Sequence, residues 1–192
     1  MWGTSFGGGH ALAIAAEGPE GVVAALAQCP FTDGVSSALA MSPISAARVA
    51  WRAVRDIVAT RRGRAPVMVP TAAAPHGIGL MTSRDAVPGF LALVPAEARE
   101  RFVNQVAARI GLRIMTYRPG TRARRINIPV FAAVCLRDAV APARATLRHL
   151  RRSPFIEVST YDTGHFAIYL DPWFEPVVAD QLNFLKRHVL DA

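Results

Sequence analysis

The stretch WGTSFGGGH, Trp2 to His10, decides how the rest of the chain is read. Gly3-Thr4-Ser5-Phe6-Gly7 follows the pattern G-x-S-x-G, in which a serine occupies a tight strand-to-helix turn with its hydroxyl presented to a pocket. Glycine on both sides has a steric reason: a side chain at either position is expected to collide with a neighbouring element, and the serine between them is expected to hold a strained backbone. A helix should follow. Ala11 to Glu17 (ALAIAAE) consists of good helix formers, and Gly18-Pro19 stops it. The N-terminus of that helix, beneath Ser5, favours negative charge on an oxygen above it. Taken alone, the pattern fits an ordinary turn or linker as well.

Bulk properties narrow the context. With 192 residues and 52% hydrophobic content, the chain can bury one substantial core, so one domain plus an elaboration is expected. The net charge is +8, yet of the 22 basic residues only Lys186 is lysine, a skew that fits a composition bias better than a selected binding face. The clusters Arg61-Arg62-Arg64, Arg122-Arg124-Arg125 and Arg148-Arg151-Arg152 are scattered, and no aromatic residues alternate with them, so nucleic acid is not an expected partner. Cys29 and Cys135 each end an apolar run without metal-ligand spacing and read as small buried hydrophobes, compatible with a cytoplasmic location. No apolar segment approaches the roughly 20 residues that span a bilayer. Nor does the start read as a secretory signal.

Composition divides the chain into three parts: residues 1–34 and 121–192 as core, and 35–120 as a mainly helical insertion. Gly21 to Pro30 (GVVAALAQCP) reads as a strand buried on both faces. In the insertion, Ala47, Trp51, Val54 and Val58 predict a helix over 42–60, and Phe102, Val106, Ile110 and Ile114 predict another over 95–117. Between them, Pro66, Pro70, Pro75 and Pro88 predict loop with at most short strands. Further on, Ile128 to Leu136 and Phe155 to Tyr161 read as strands, Arg144 to Arg152 as a basic amphipathic helix, and Pro172 to Val189 as a closing helix.

Strands alternating with helices predict an α/β fold with a partial, doubly wound parallel sheet, whose ligand site lies at the carboxyl ends of the strands. Asp138 follows one strand directly, and Asp162-Thr163-Gly164-His165 follows the next. Ser5 occupies the corresponding end of a strand that should precede it. A serine hydroxyl is a poor nucleophile until an imidazole takes its proton, and the imidazole needs a carboxylate to hold the productive tautomer.

WGTSFGGGHALAIAA resembles the nucleophile elbow of an α/β-hydrolase, CLRDAVAPA its acid turn and YDTGHFAIY its histidine loop, in that family's Ser, Asp, His order. The chain is similar to the serine aminopeptidase or lysophospholipase-like branch, with its helical cap inserted between two strands. The resemblance implies Ser5 as nucleophile, His165 as general base and acid, Asp138 as the orienting carboxylate and the backbone N–H of Phe6 as an oxyanion donor. It implies hydrolysis of a small-molecule ester, thioester or amide through an acyl-enzyme. Neither a metal nor a nucleotide cofactor is expected, since no HExxH, carboxylate cluster or P-loop is present.

Each role has a rival. Asp33, in the PFTDG turn, could supply the acid, although the strand-end setting favours Asp138. Asp162 lies close in sequence to His165 and is expected to cap its loop. His10, His76, His149 and His188 are expected to be structural or solvated, with His76 able to line the pocket.

The family's earlier strands and the loop donating a second oxyanion amide lie upstream of the elbow. The reading is therefore of a C-terminal portion, with three strands retained and the one at Gly21 to Pro30 exposing an unpaired edge, open to self-association. On this reading nothing fixes the Ser5 turn, and impaired turnover and a loose fold are expected. The alternative is an inactive remnant with a structural or interaction role.

Overall fold

Ala25–Gln28 (ALAQ) and Val130–Cys135 (VFAAVC) are buried at every position, the pattern of strands covered on both faces. The computed structural model describes residues 1–190. In chain order the elements are β1 (Trp2–Thr4), α1 (Phe6–Glu17), β2 (Ala25–Gln28), α2 (Gly34–Ala40), α3 (Pro43–Arg61), β3 (Met68–Val69), α4 (Ala86–Ala92), β4 (Val106–Ala107), α5 (Ile110–Thr116), β5 (Val130–Cys135), α6 (Ala143–Leu150), β6 (Ile156–Tyr161) and α7 (Phe174–Leu185). They divide into two units, Met1–Ser36 with Arg118–Ala192, and Ser37–Tyr117.

In the first unit, β1-β2-β5-β6 form a parallel sheet in that order. Because successive side chains point to opposite faces, Ala25, Ala27, Val130, Ala132 and Val134 pack on one side against Leu12 and Ala15 of α1 and Leu150 of α6. On the other side Ala24, Leu26, Phe131, Ala133 and Cys135 meet Ile168 and, from α7, Val177 and Phe184. Helices on both faces of a parallel sheet make this the expected α/β class. The alanines at the sheet centre let the helices approach closely.

The sequence expectation of three strands needs correcting. Trp2–Thr4 forms a fourth, pairing with β2 in the register Trp2↔Leu26, Gly3↔Ala27, Thr4↔Gln28. The amide of Leu26 donates to Met1 O at 2.9 Å, and the N-terminal amine donates to Ala24 O at 2.9 Å. The edge is therefore β1, with β2 paired on both sides. Three residues are too few to show a period in sequence.

In the second unit, α3 forms where predicted, but the helix expected over 95–117 is broken. Ala96–Ala98 is a 3-10 turn, Val106–Ala107 pairs antiparallel with Met68–Val69, and only Ile110–Thr116 is α-helical. The side chain of Asn104 substitutes for a strand partner: Nδ2 donates to Ala72 O at 2.8 Å and Oδ1 accepts from Ala72 N at 2.9 Å. Asp56 of α3, fully buried, accepts from the amides of Val67 and Arg109 at 2.8 and 2.9 Å and from Arg109 Nε at 2.7 Å. Burial pushes the Asp56 carboxyl up, but Arg109 and the two amides outweigh it and hold it below its usual range. These tertiary hydrogen bonds outcompete a continuous helix. In the stretch expected to be loop, Ala86–Ala92 (AVPGFLA) is helical. Pro88 sits in its first turn, where a missing N–H costs nothing.

Candidate active site

Ser5 lies between β1 and α1 with φ 51° and ψ −118°, a left-handed conformation that costs a non-glycine residue roughly 1–3 kcal/mol. The turn is held in place, contrary to the expectation that nothing fixes it. Ser5 N donates to Gln28 O at 2.9 Å, and Ser5 O accepts from Phe31 N at 2.8 Å and from Gly9 N at 3.1 Å. The short strand and the segment after β2 thus clamp the serine from both sides.

The glycines divide differently from expectation. A Cβ on Gly3 would lie 2.2 Å from Gly7 O, so the N-terminal glycine of the pattern is sterically required. A Cβ on Gly7 would meet nothing within 4 Å, because that residue opens outward on the first turn of α1. The second close approach is at Gly9, whose Cβ would lie 2.3 Å from Phe31 O.

Three carboxyl-end turns bring Ser5, Asp138 and His165 together. Ser5 Oγ lies 2.9 Å from His165 Nε2, and His165 Nδ1 lies 2.6 Å from Asp138 Oδ2. The other carboxylate oxygen, Asp138 Oδ1, accepts from the amides of Val140 and Ala141 at 2.8 and 2.7 Å, which fixes the plane of the carboxylate. The side chains of His165 and Asp138 are buried, so water competes little for their hydrogen bond. Phe6, the first residue of α1, places its backbone amide at the helix N-terminus beside Ser5.

The chain is 47% identical over 189 residues to the quorum-quenching protein AidA of Acinetobacter baumannii (strain MDR-ZJ06), a match covering 98% of this chain and 61% of that protein. Among solved structures it superposes on the alpha/beta hydrolase GrgF of Penicillium sp. sh18 with a TM-score of 0.72 at 22% identity, covering 98% of this chain and 63% of that one. It also superposes on a soluble variant of monoglyceride lipase from Saccharomyces cerevisiae, with a TM-score of 0.62 at 20% identity, covering 98% and 64%. The chain has the α/β-hydrolase fold of these solved structures. No family model matches it. It spans about three fifths of the length of the proteins it resembles.

Within this fold the rival carboxylate is engaged elsewhere. Asp33 Oδ2 lies 2.9 Å from Arg118 Nη2 and 2.9 Å from His149 Nε2, and Oδ1 accepts from the amides of Val35 and Ser36 at 3.0 and 3.1 Å. Burial raises the Asp33 carboxyl, but Arg118, His149 and Ser36 outweigh it and hold it well below its ordinary value. His149, expected to be structural or solvated, is buried against Asp33. Asp162 forms an exposed ion pair with Arg137 at 3.0 Å. His10 stacks edge-on to Phe6 at 4.8 Å, His76 pairs with Ser42 at 3.0 Å, and His188 meets Glu157 at 2.6 Å.

Sequence reasoning missed Tyr169. It lies on the 3-10 turn Ala167–Tyr169 just after His165, and its hydroxyl contacts Thr4 Oγ1 and, at 2.9 Å, Cys29 Sγ. One side chain therefore ties the histidine loop to the residue preceding Ser5 and to the end of β2. Burial, aided by the Cys29 thiol beside it, holds the Tyr169 hydroxyl well above its usual range, so it remains a neutral hydrogen-bonding group. No spacing marks it in sequence. Among the described residues no cluster of His, Cys, Asp or Glu could hold a metal ion, and no helix is long and apolar enough to cross a membrane.

Proposed function

We propose that this chain is a serine hydrolase cleaving a carboxylic ester, thioester or amide through an acyl-enzyme. The observation that carries the reading is the relay from Ser5 Oγ to His165 Nε2 at 2.9 Å and from His165 Nδ1 to Asp138 Oδ2 at 2.6 Å. Asp138 accepts from the Nδ1–H of neutral His165, which leaves Nε2 with its lone pair toward Ser5. As Ser5 Oγ bonds to the substrate carbonyl carbon, its proton passes to Nε2, and the carbonyl oxygen becomes an oxyanion within reach of the Phe6 amide and the N-terminus of α1. Collapse expels the alcohol, thiol or amine, which takes the proton from Nε2. Water, deprotonated by the same nitrogen, then attacks the acyl carbon, releasing the acid and restoring Ser5.

The α/β-hydrolase fold supports this reading, because it delivers residues from three strand ends to one site. The relative named for quorum quenching adds a diffusible signal molecule with a hydrolysable carbonyl bond to the substrates worth assaying. The test is labelling with a fluorophosphonate probe, followed by mapping of the modified peptide. Ser5 is expected to carry the adduct, with Ser5→Ala eliminating both labelling and hydrolysis of p-nitrophenyl acetate. Undiminished labelling of a folded Ser5→Ala variant removes Ser5 from the nucleophile's role.

A further inference from the structure

Helix α3 turns its large apolar residues outward. Its buried side consists of Ser45, Val49, Ala53 and Asp56, with Asp56 locked to Arg109. The stripe with helical spacing in the sequence lies opposite: Ile44 is 54% exposed, Trp51 64%, Val54 47% and Val58 39%, with Ala47 exposed between them. At about 100° per residue these five occupy an arc of roughly 80°, running most of the length of a helix of 19 residues. Leu39 of α2, just before it in sequence, is 82% exposed.

Charge completes the pattern. Arg48, Arg52 and Arg55 follow one side of the stripe, Arg48 with one guanidinium nitrogen donating to His76 O at 2.9 Å, and Arg61 and Arg62 stand at its C-terminal end. The one acidic residue of the helix is Asp56, which is buried and already neutralised. The exposed face is therefore apolar along its centre, and the charges on its border are all cationic.

We propose that this face of α3 docks on the surface of an anionic lipid bilayer, with Trp51, Val54 and Val58 at the headgroup boundary and Arg48, Arg52 and Arg55 on lipid phosphates. A convex helix needs no matching groove on a bilayer, and an apolar stripe with Trp and flanking arginines is what an interfacial helix presents. A second copy of the chain fits worse: pairing the stripe with itself would crowd the arginines of both helices around one contact with no carboxylate to offset them. Nucleic acid would leave the apolar stripe with nothing to bury against. The inference does not depend on the proposed hydrolysis.

The experiment is co-flotation of the full chain with phosphatidylcholine vesicles, with and without about a third phosphatidylglycerol, at low and high salt. Anionic lipid is expected to raise partitioning at least tenfold, with most of the gain lost in high salt. Each arginine near the surface contributes on the order of fivefold, so Arg48→Glu with Arg55→Glu should lower partitioning by more than about twenty-five-fold. Trp51→Ser with Val54→Ser should abolish binding while leaving the thermal melt cooperative. Arg148→Glu with Arg151→Glu, the same charge change at the C-terminal end of α6, should leave most of it. Any of three results overturns the proposal: no flotation with anionic vesicles, an equal loss from the α6 variant, or a stripe variant whose only effect is to turn a dimer into a monomer in sedimentation.

Discussion

Replacing Asp138 with asparagine preserves shape while inverting one hydrogen bond. The side-chain oxygen of an amide can still accept from the Val140 and Ala141 amides, which now meet Asp138 Oδ1 at 2.8 and 2.7 Å. Its NH2 group then occupies the place of Oδ2, 2.6 Å from His165 Nδ1, and donates where the carboxylate accepted. His165 must offer a lone pair at Nδ1 and carry its proton on Nε2, the nitrogen 2.9 Å from Ser5 Oγ. A protonated Nε2 cannot take the serine proton. The rate is expected to fall by on the order of 10⁴, about 5.4 kcal/mol of transition-state stabilisation, with stability changed far less because the swap is isosteric. The assay is the rate of Ser5 modification by a fluorophosphonate alongside p-nitrophenyl acetate turnover, both compared with Asp33→Asn at a temperature where every variant is folded. Asp33 faces Arg118 and His149, so its variant should keep most of the rate. An Asp138→Asn protein retaining more than about a tenth of the rate, or an Asp33→Asn protein falling as far while folded, refutes the reasoning.

Two further expectations concern stability. Gly9→Ala forces a Cβ to 2.3 Å from Phe31 O and should cost roughly 1–3 kcal/mol in urea unfolding, whereas Gly7→Ala meets open space and should be neutral or stabilising by up to about 1 kcal/mol. Asp33 has a folded pKa depressed below its ordinary value of 3.8, so the stability it contributes is fully present above about pH 4 and is lost as pH falls through the folded value. The difference in unfolding free energy between the native chain and Asp33→Asn should accordingly be constant between about pH 5 and 7 and shrink below pH 4, as read from denaturant titrations; a gap that widens on acidification contradicts the pairing.

Some of this molecule is written in short stretches of chain. The apolar runs that become β2 and β5, and the turns that follow them, are local signals, because burial on both faces leaves an uninterrupted apolar run; β6 is read from its β-formers Ile156, Val158, Thr160 and Tyr161. Asp138 and His165 could be named from their place after such runs, since a strand's carboxyl end in an α/β fold opens onto the site whatever the rest of the chain does, and Ser5 from the G-x-S-x-G pattern around it. The 19-residue helix α3 was likewise legible in its period.

What the sequence could not decide are the matters settled by distant partners. Asp33 and Asp138 both follow buried strands, and the choice between them rests on where α6 puts His149 and the turn after α5 puts Arg118, both far along the chain from Asp33. The strand at Trp2–Thr4 exists because β2 offers it a ladder, not because three residues prefer it. Periodicity found the stripe on α3 but not the direction it faces: the helix buries Val49, Ala53 and Asp56 because Asp56 finds Arg109 and two strand-end amides, an interaction spanning 53 residues. The same partners, with Asn104 bound to Ala72, break the helix expected over 95–117. Local sequence sets what backbone conformation each segment favours; which face is buried, which carboxylate is paired and which glycine is crowded follow from packing, where each polar group removed from water must find a partner that only the folded chain supplies.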